Sequence, residues 1–210
     1  MSTTVTASAI EKTARYFEAL PEIAKTSMRI AINQTVERSG IKLVKAKIQA
    51  EVAFPPGYLD SGPEPGRKLR IRKAYNDNLE AVIAARQRPT SLARFARGGL
   101  PGTGKGRTGV SVTVKPGTTR KMPSAFLMHL RAGASLREDN YNIGLAVRLK
   151  PGQTILNKRK QNAVQLSHNL YLLYGPSVDQ VARDVFADNA PEIASMVETE
   201  FFRQFALRAV

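Results

Sequence analysis

The stretch Leu173-Tyr174-Gly175-Pro176-Ser177-Val178 carries an apolar strand end, a Gly-Pro break and a helix start within six residues. Ser177 and Gln180 fit a capping box, because the hydroxyl and the amide side chain can each satisfy a backbone N–H of the first turn. The pattern therefore predicts a strand that ends near Tyr174 and a helix that begins after Ser177.

Apolar residues recur at three- and four-residue steps after Ser177, which predicts a helix with one face in the core. This first stripe consists of Val178, Val181, Ala182, Val185 and Phe186. The run Asp188-Asn189-Ala190-Pro191 is turn-prone and ends in a proline, so it predicts a break between two C-terminal helices. The second helix has its own stripe of Ile193, Met196, Val197, Phe201 and Phe205.

The second C-terminal helix is apolar on more than one side, because Phe202 and Leu207 lie off its stripe. An oligomer contact and simple burial both explain this pattern. The candidate oligomer interface consists of Phe201, Phe202, Phe205 and Leu207.

The composition describes a chain of 210 residues without cysteine, so disulfides and thiolate metal sites are excluded. Its first 20 residues include Glu11 and Glu18 and lack the apolar segment of a signal peptide. No apolar run is long enough to cross a bilayer, so the expected class is a soluble protein that is not secreted and has no membrane partner.

Positive charge is concentrated in the middle of the chain. The formal net charge is +15, yet residues 67–160 alone hold 21 basic and 4 acidic side chains, a net +17, whereas residues 161–210 hold 3 basic and 6 acidic ones. Such a block favours a polyanion or an acidic protein surface as partner, and the alternative is a solvated basic face.

The candidate contact residues in this block are spaced as in extended segments, with few aromatic residues between them. With few aromatic residues to stack on bases, these side chains would contact the phosphates of a nucleic acid, so we expect binding without sequence preference. Three partners stay open: DNA, an acidic neighbouring ring, or the acidic C-terminal segment of an adjacent copy. The candidates are Arg67, Lys68, Arg70, Arg72, Lys73, Arg86, Arg88, Arg94 and Arg97.

Elsewhere the patterns predict an α+β fold: N-terminal helices, a small antiparallel β-sheet in the middle and two C-terminal helices. The first helix is expected to close at Pro21 and a second to span residues 22–52, with a possible break at Ser39-Gly40. Strands are expected at 68–73 (an edge strand or arm), 79–86, 108–115, 125–130, 142–149 and 169–174, with polar loops at 98–109 and 150–165.

The expected organisation is a helical region at residues 1–54, a Pro/Gly-rich basic connector at 55–78 and an α+β region at 79–210, together forming one structural domain.

No pattern of residues indicates chemistry. Residues Gly99 to Lys105 match the spacing GxxxxGK of a phosphate-binding loop, but Gly106 replaces the magnesium-binding Ser or Thr and a strand follows in place of a helix. His129 and His168 have no further ligands at metal spacing. We therefore expect no enzymatic activity, no catalytic or metal site and no cofactor.

Three ordered segments resemble the minor tail protein Z family of lambda-like long-tailed phages and prophages. They are Arg86-Gln87-Arg88-Pro89-Thr90-Ser91-Leu92-Ala93-Arg94-Phe95, then Gly109-Val110-Ser111-Val112, and later the Leu173–Val178 stretch; Pro123-Ser124-Ala125-Phe126 fits a fourth motif of the family. The resemblance covers residues 30–210. The loops at 98–109 and 131–140 depart from the family in being richer in glycine and charge.

The resemblance implies a virion structural protein that completes the tail at its head-proximal end and is assembled in the host cytoplasm. It also implies a homo-oligomeric ring, with six-fold symmetry, in the neck of a long non-contractile tail. The implied partners are the tail terminator and other neck or tail-tube proteins, with phage DNA or the tape measure protein in the lumen. The alternative hypothesis, which follows from the charge, is a sequence-nonspecific nucleic-acid-binding protein.

Overall fold

A computed structural model describes residues 7–62, 68–76, 78–97, 109–130, 142–153, 155 and 163–209 of the chain. The fold is α+β, with helices at both ends and antiparallel sheets between them. Within the described residues no helix is both long enough and apolar enough to span a membrane.

The N-terminal region forms one nearly continuous helical rod. Helix α1 (Ala7–Gln34) passes into a π-helical turn (Thr35–Gly40) and then into helix α2 (Ile41–Glu51). The predicted end at Pro21 is wrong, because Pro21 lies inside α1. Proline removes one backbone hydrogen bond, and the packing of α1 against the C-terminal helix offsets this loss.

The possible break at Ser39-Gly40 is a π-helical turn that keeps the rod intact. A Cβ atom on Gly40 would lie 3.0 Å from the carbonyl oxygen of Thr35, so the wider turn depends on a glycine there. Thr35, Val36 and Gly40 of this turn are buried, and the turn packs against the C-terminal helix.

Eleven strands are present among the described residues. They are β1 (Ser61–Gly62), β2 (Leu69–Arg72), β3 (Val82–Ala85), β4 (Thr90–Ser91), β5 (Ala96–Arg97), β6 (Val110–Lys115), β7 (Thr118–Met122), β8 (Ala125–Leu130), β9 (Asn142–Arg148), β10 (Ala163–Ser167) and β11 (Leu170–Gly175). All six predicted strand segments contain a strand. The polar loop predicted at 150–165 is wrong at its end, where β10 begins.

These strands form three sheets in place of the one small sheet that was predicted. The first has the order β1-β2-β3, the second β10-β11-β9-β8 with β4 paired to β11, and the third β5-β6-β7. All strand pairs are antiparallel except β1 with β2. Strand β2 lies between two others, so the prediction of an edge strand was wrong.

The main core lies where α2, the first sheet and the C-terminal helix meet. It contains buried side chains from each of the three predicted segments of the chain, which therefore share one core. These include Val44, Ile48, Phe54, Leu59, Leu69, Phe95, Val178, Ala182 and Val185. A second cluster lies between the other two sheets, with Val110, Val112, Ala125, Leu127, Leu145 and Leu173.

Helix α3 (Val178–Ala206) begins where the capping box predicted. The Gln180 backbone N–H donates to Ser177 Oγ at 3.1 Å, and the Ser177 N–H donates to Gln180 Oε1 at 3.1 Å. A further first-turn donor, the N–H of Asp179, bonds the carbonyl of Arg86 at 3.2 Å. The start of α3 is thereby attached to the end of β3.

The prediction of two C-terminal helices is wrong, because α3 continues through Pro191. Asn189 is buried, and its side-chain amide donates to the Val185 carbonyl at 2.7 Å on the core side. The turn-prone residue is thus part of the helix, and packing against α1 holds both halves in line.

We expect Ser177→Ala to lower the free energy of unfolding by about 1 kcal/mol, because it leaves the Gln180 N–H without its acceptor. Urea unfolding of the purified chain measures this change. Ser195→Ala, at an exposed position inside the same helix, is the matched control and should raise the free energy of unfolding slightly, because alanine has the higher helix propensity. Equal effects of the two substitutions would show that the cap does not stabilise α3.

Candidate anion-binding groove and exposed helix end

Strand β2 separates basic from apolar side chains onto the two faces of the first sheet. Leu69 is fully buried, and Ile71 packs against the main core. Because side chains alternate along a strand, Lys68, Arg70 and Arg72 share the opposite face. The alternation of basic and apolar residues in the sequence thus produces one basic face.

Lys68 and Arg86 face each other across the first sheet. Leu69 pairs with Ala85, and one residue further the Arg86 N–H donates to the Lys68 carbonyl at 2.9 Å. Side chains directly opposite in an antiparallel pair are about 4.5–5.5 Å apart at Cβ, and like charges there are destabilising. This pair therefore favours a negatively charged group beside it.

Tyr58 holds two of the cations in place. Lys68 Nζ lies 5.3 Å from the centre of the Tyr58 ring, and Arg94 Cζ lies 5.1 Å from it. The ring itself stacks on Phe54 at 5.2 Å, and its hydroxyl is 3.1 Å from Thr90 Oγ1. A cation over an aromatic face is attracted by the ring, so Tyr58 positions charges that would otherwise move apart.

A concave surface of about 640 Å³ opens beside these residues, and we call it the basic groove. Its basic lining consists of Lys68, Arg86, Arg88 and Arg94. Its apolar lining includes Ala93, Ala96, Leu127, Leu130 and Ile143, and Tyr174 and Ser91 also line it. Among the described residues no acidic side chain lines this groove.

A second depression, of about 420 Å³, shares Tyr58, Lys68 and Arg94 with the basic groove. Its remaining lining comes from Pro55, Pro56, Gly57 and Asp60. Asp60 therefore lines the same depression as Lys68 and Arg94 but does not line the basic groove.

The charges in the basic groove oppose one another. Burial lowers the pKa of the Lys68 ammonium from its ordinary value, and the charges of Arg86, Arg94 and Arg88 lower it further. Arg72 pairs with Glu80 at 3.5 Å and Lys73 with Glu37 at 2.7 Å, outside the groove. None of the four groove cations belongs to an ion pair among the described residues.

The structure brings together four of the nine predicted contact residues. Arg70 and Arg72 share the basic face of β2 but lie outside the groove. Lys73 forms its ion pair with Glu37 of the π-helical turn. Arg97 lies on β5 opposite Ser111 in another sheet. Arg67 and the phosphate-loop-like segment Gly99 to Lys105 lie outside the described residues.

Sequence reasoning missed the apolar lining of the groove and Tyr58. Leu127, Leu130 and Ile143 come from β8 and β9 of the second sheet, and their own strands already account for their apolar character. No local pattern links these apolar residues to the arginines. They lie near each other because β4, which stands between Arg88 and Arg94 in sequence, pairs with β11 of the second sheet at Tyr174 and Gly175.

The end of α3 leaves large apolar side chains in solvent. Phe202 is 61% exposed and Leu207 is 65% exposed, whereas Phe201 and Phe205 are partly buried. Phe201 contacts both other rings, with centroid distances of 5.3 Å to Phe202 and 5.8 Å to Phe205. The predicted second apolar face is thus exposed in the single chain.

Polar contacts attach the same helix end to α1. The buried Gln204 amide donates to Glu200 Oε1 at 2.7 Å and to Gln34 Oε1 at 3.4 Å, and Arg203 Nη2 donates to Glu200 Oε1 at 2.6 Å. The Arg203 and Gln204 hydrogen bonds lower the pKa of Glu200 to about 2. Phe202 is therefore presented on an anchored helix.

Within the described residues, no group of three or more acidic or histidine side chains is placed to hold a metal ion. No family model matches the chain, and comparisons with curated proteins and with solved structures found no similar protein. The features that bear on function are therefore the basic groove, the exposed end of α3 and the resemblance in sequence.

We expect Arg86→Gln to raise the free energy of unfolding by about 0.2–1 kcal/mol, because it removes the like charge opposite Lys68. The pKa of Lys68 should rise toward its ordinary value, which an NMR titration of its side chain can follow. The stabilisation should shrink at high salt. Arg120→Gln, an exposed change opposite Val112, is the control; equal responses in both variants would contradict repulsion in the groove.

We also expect acid to weaken the anchor of α3. Because the pKa of Glu200 is lowered from 4.5 to about 2 in the folded chain, the carboxylate contributes stability above about pH 4.5 and loses it as the pH falls toward 2. Glu200→Gln should flatten the pH dependence of unfolding in that window, whereas Glu192→Gln on the exposed side should not. An unchanged profile for Glu200→Gln would contradict the role of this carboxylate.

Proposed function

We propose that this chain is a structural subunit of the neck of a long-tailed phage or prophage, where it completes the tail at its head-proximal end. The observation that carries the proposal is the exposure of Phe202 and Leu207 on an otherwise anchored helix. Such an apolar end fits a protein that works by assembly, because a partner that covers these side chains removes the free-energy cost of exposing them to water.

The residues behind the resemblance to the minor tail protein Z family support the proposal by their positions. Phe95 is buried in the main core, and Val110 and Val112 belong to the second cluster. Ser177 is buried and caps α3. These segments build the scaffold, so the resemblance concerns the fold as a whole and needs no shared chemistry.

In this proposal the chain forms a homo-oligomeric ring, with six-fold symmetry, that contacts the tail terminator and other neck or tail-tube proteins. The basic groove faces a negative partner in the assembly, either another protein surface or the DNA that passes through the lumen. The chain has no enzymatic role and needs no cofactor.

A second candidate function, sequence-nonspecific nucleic-acid binding by the free chain, is favoured by one observation. The four groove cations belong to no ion pair among the described residues, so phosphates could bind them. The two functions differ in what a purified chain does. A neck subunit forms a defined oligomer, whereas a free binder stays monomeric and binds DNA with steep salt dependence.

Labelled particles test the proposed function directly. A small tag at the N-terminus, followed by gold labelling and electron microscopy of purified tails, should place the label at the head-proximal end. Label along the whole tail, at the distal tip or absent from purified tails would contradict the proposal.

We expect the triple change of Arg86, Arg88 and Arg94 to alanine to abolish infectivity, although each single change is tolerated because exposed pairs contribute only about 0–1 kcal/mol. If the groove contacts a protein, tails should fail to join heads. If it contacts DNA, joined particles should fail to retain or deliver DNA. The control replaces Lys115, Arg120 and Lys121, all exposed and outside the groove; full infectivity of the groove variant would overturn both versions.

A further inference from the structure

We propose that the basic groove of one copy receives the outward face of α3 from a second copy, with Glu198 and Phe202 in the groove. This inference rests on the proposed function, because it specifies how the ring subunits contact one another. It follows from four features of the chain: the acid and the ring on the outward face of α3, the mixed basic and apolar lining of the groove, the charges left unpaired on each, and the distance between them.

The outward face of α3 combines an acidic side chain with an exposed ring. The buried residues Val178, Ala182, Val185, Asn189 and Gln204 place one side of the helix against the protein. At 100° per residue, the side away from them carries the exposed residues Glu198 and Phe202, whereas Asp184 and Asp188 line a depression beside Lys47 and Glu51 of α2. Glu198 and Phe202 are four residues apart and therefore neighbours on this face.

The basic groove has the complementary chemistry. Its cations match carboxylates, and its apolar lining, with Leu127, Leu130 and the 40% exposed Ile143, matches an aromatic side chain. A DNA backbone offers phosphates to the cations but only its sugar edges to the apolar lining. A protein segment that carries an acid beside an aromatic ring matches both kinds of lining residue, so the groove favours that occupant.

The charges on α3 leave its outward face negative. Arg183 pairs with Asp179 at 2.7 Å, and Arg203 pairs with Glu200 at 2.6 Å, so both bases are neutralised within the helix. Glu198 belongs to no ion pair among the described residues. The unpaired groove cations of one copy and the Glu198 carboxylate of another therefore complement each other.

The two surfaces lie too far apart to meet within one chain. The N–H of Asp179 bonds the carbonyl of the groove residue Arg86, so the groove adjoins the start of α3. Phe202 lies 23 residues further along, about 35 Å at 1.5 Å per residue. The contact must therefore form between copies, from head to tail, and such a contact closes into a ring when the rotation per subunit permits.

Two complementary variants test the contact in solution. The groove variant carries Arg88→Glu and Arg94→Glu, and the helix variant carries Glu198→Gln and Phe202→Ser, so that the two altered surfaces do not attract each other; all four positions are exposed. By analytical ultracentrifugation the wild-type chain should form a closed oligomer and each variant alone should be monomeric, with association weakened at least tenfold. An equimolar mixture should form 1:1 dimers and nothing larger, because only one intact pair of surfaces remains.

The control Arg120→Glu with Lys121→Glu makes the same charge change outside the groove and should keep the wild-type oligomer. Circular dichroism of both test variants verifies that they are folded. The inference is overturned if the wild-type chain is monomeric, if the groove variant still forms the oligomer, or if the mixture stays monomeric. A groove variant that keeps the oligomer but loses DNA binding would assign the groove to nucleic acid.

The outcome is independent of the test of the proposed function. A 1:1 dimer from the mixed variants supports the contact even if no label is found on tails. Conversely, labelled necks together with a mixture that does not dimerise would keep the neck assignment and overturn this contact.

Discussion

The hydrogen bond from the Asp179 N–H to the Arg86 carbonyl joins helix α3 to the strand end that carries the basic groove. An unbonded donor at a helix start needs an acceptor, and here a strand end supplies it. The same residue, Arg86, donates its own N–H to Lys68, so α3, β3 and β2 are connected through consecutive backbone bonds. The capping box of Ser177 and Gln180 sets the helix start from which this connection is made.

Local signals predicted the elements that depend on neighbouring residues. The capping box lies within four residues and places the start of α3 correctly, and alternating valines predict β6. Long-range packing decided the features that the sequence did not reveal. Pro21 and Pro191 both lie inside helices, because the contact between α1 and α3 outweighs a local preference to stop.

The candidate site was predictable to the same extent. Charge density predicted Lys68, Arg86, Arg88 and Arg94 as candidate contact residues, but it could not separate them from Arg97, which lies on a different sheet. The apolar lining of the groove comes largely from β8 and β9, far away in sequence. Which arginines share a surface is a property of strand pairing, and composition carries no information about it.

The same arrangement has opposing effects on stability and on recognition. Lys68 and Arg86 repel each other across the sheet, and Phe202 exposes a ring to water, so each weakens the isolated chain. Natural surfaces keep such features where a partner relieves them, because the free energy lost in the monomer is recovered on binding. A chain whose middle holds +17 while its last fifty residues hold a net −3 carries charge of both signs, and in a head-to-tail assembly the acidic end of each copy would relieve part of the repulsion in its neighbour.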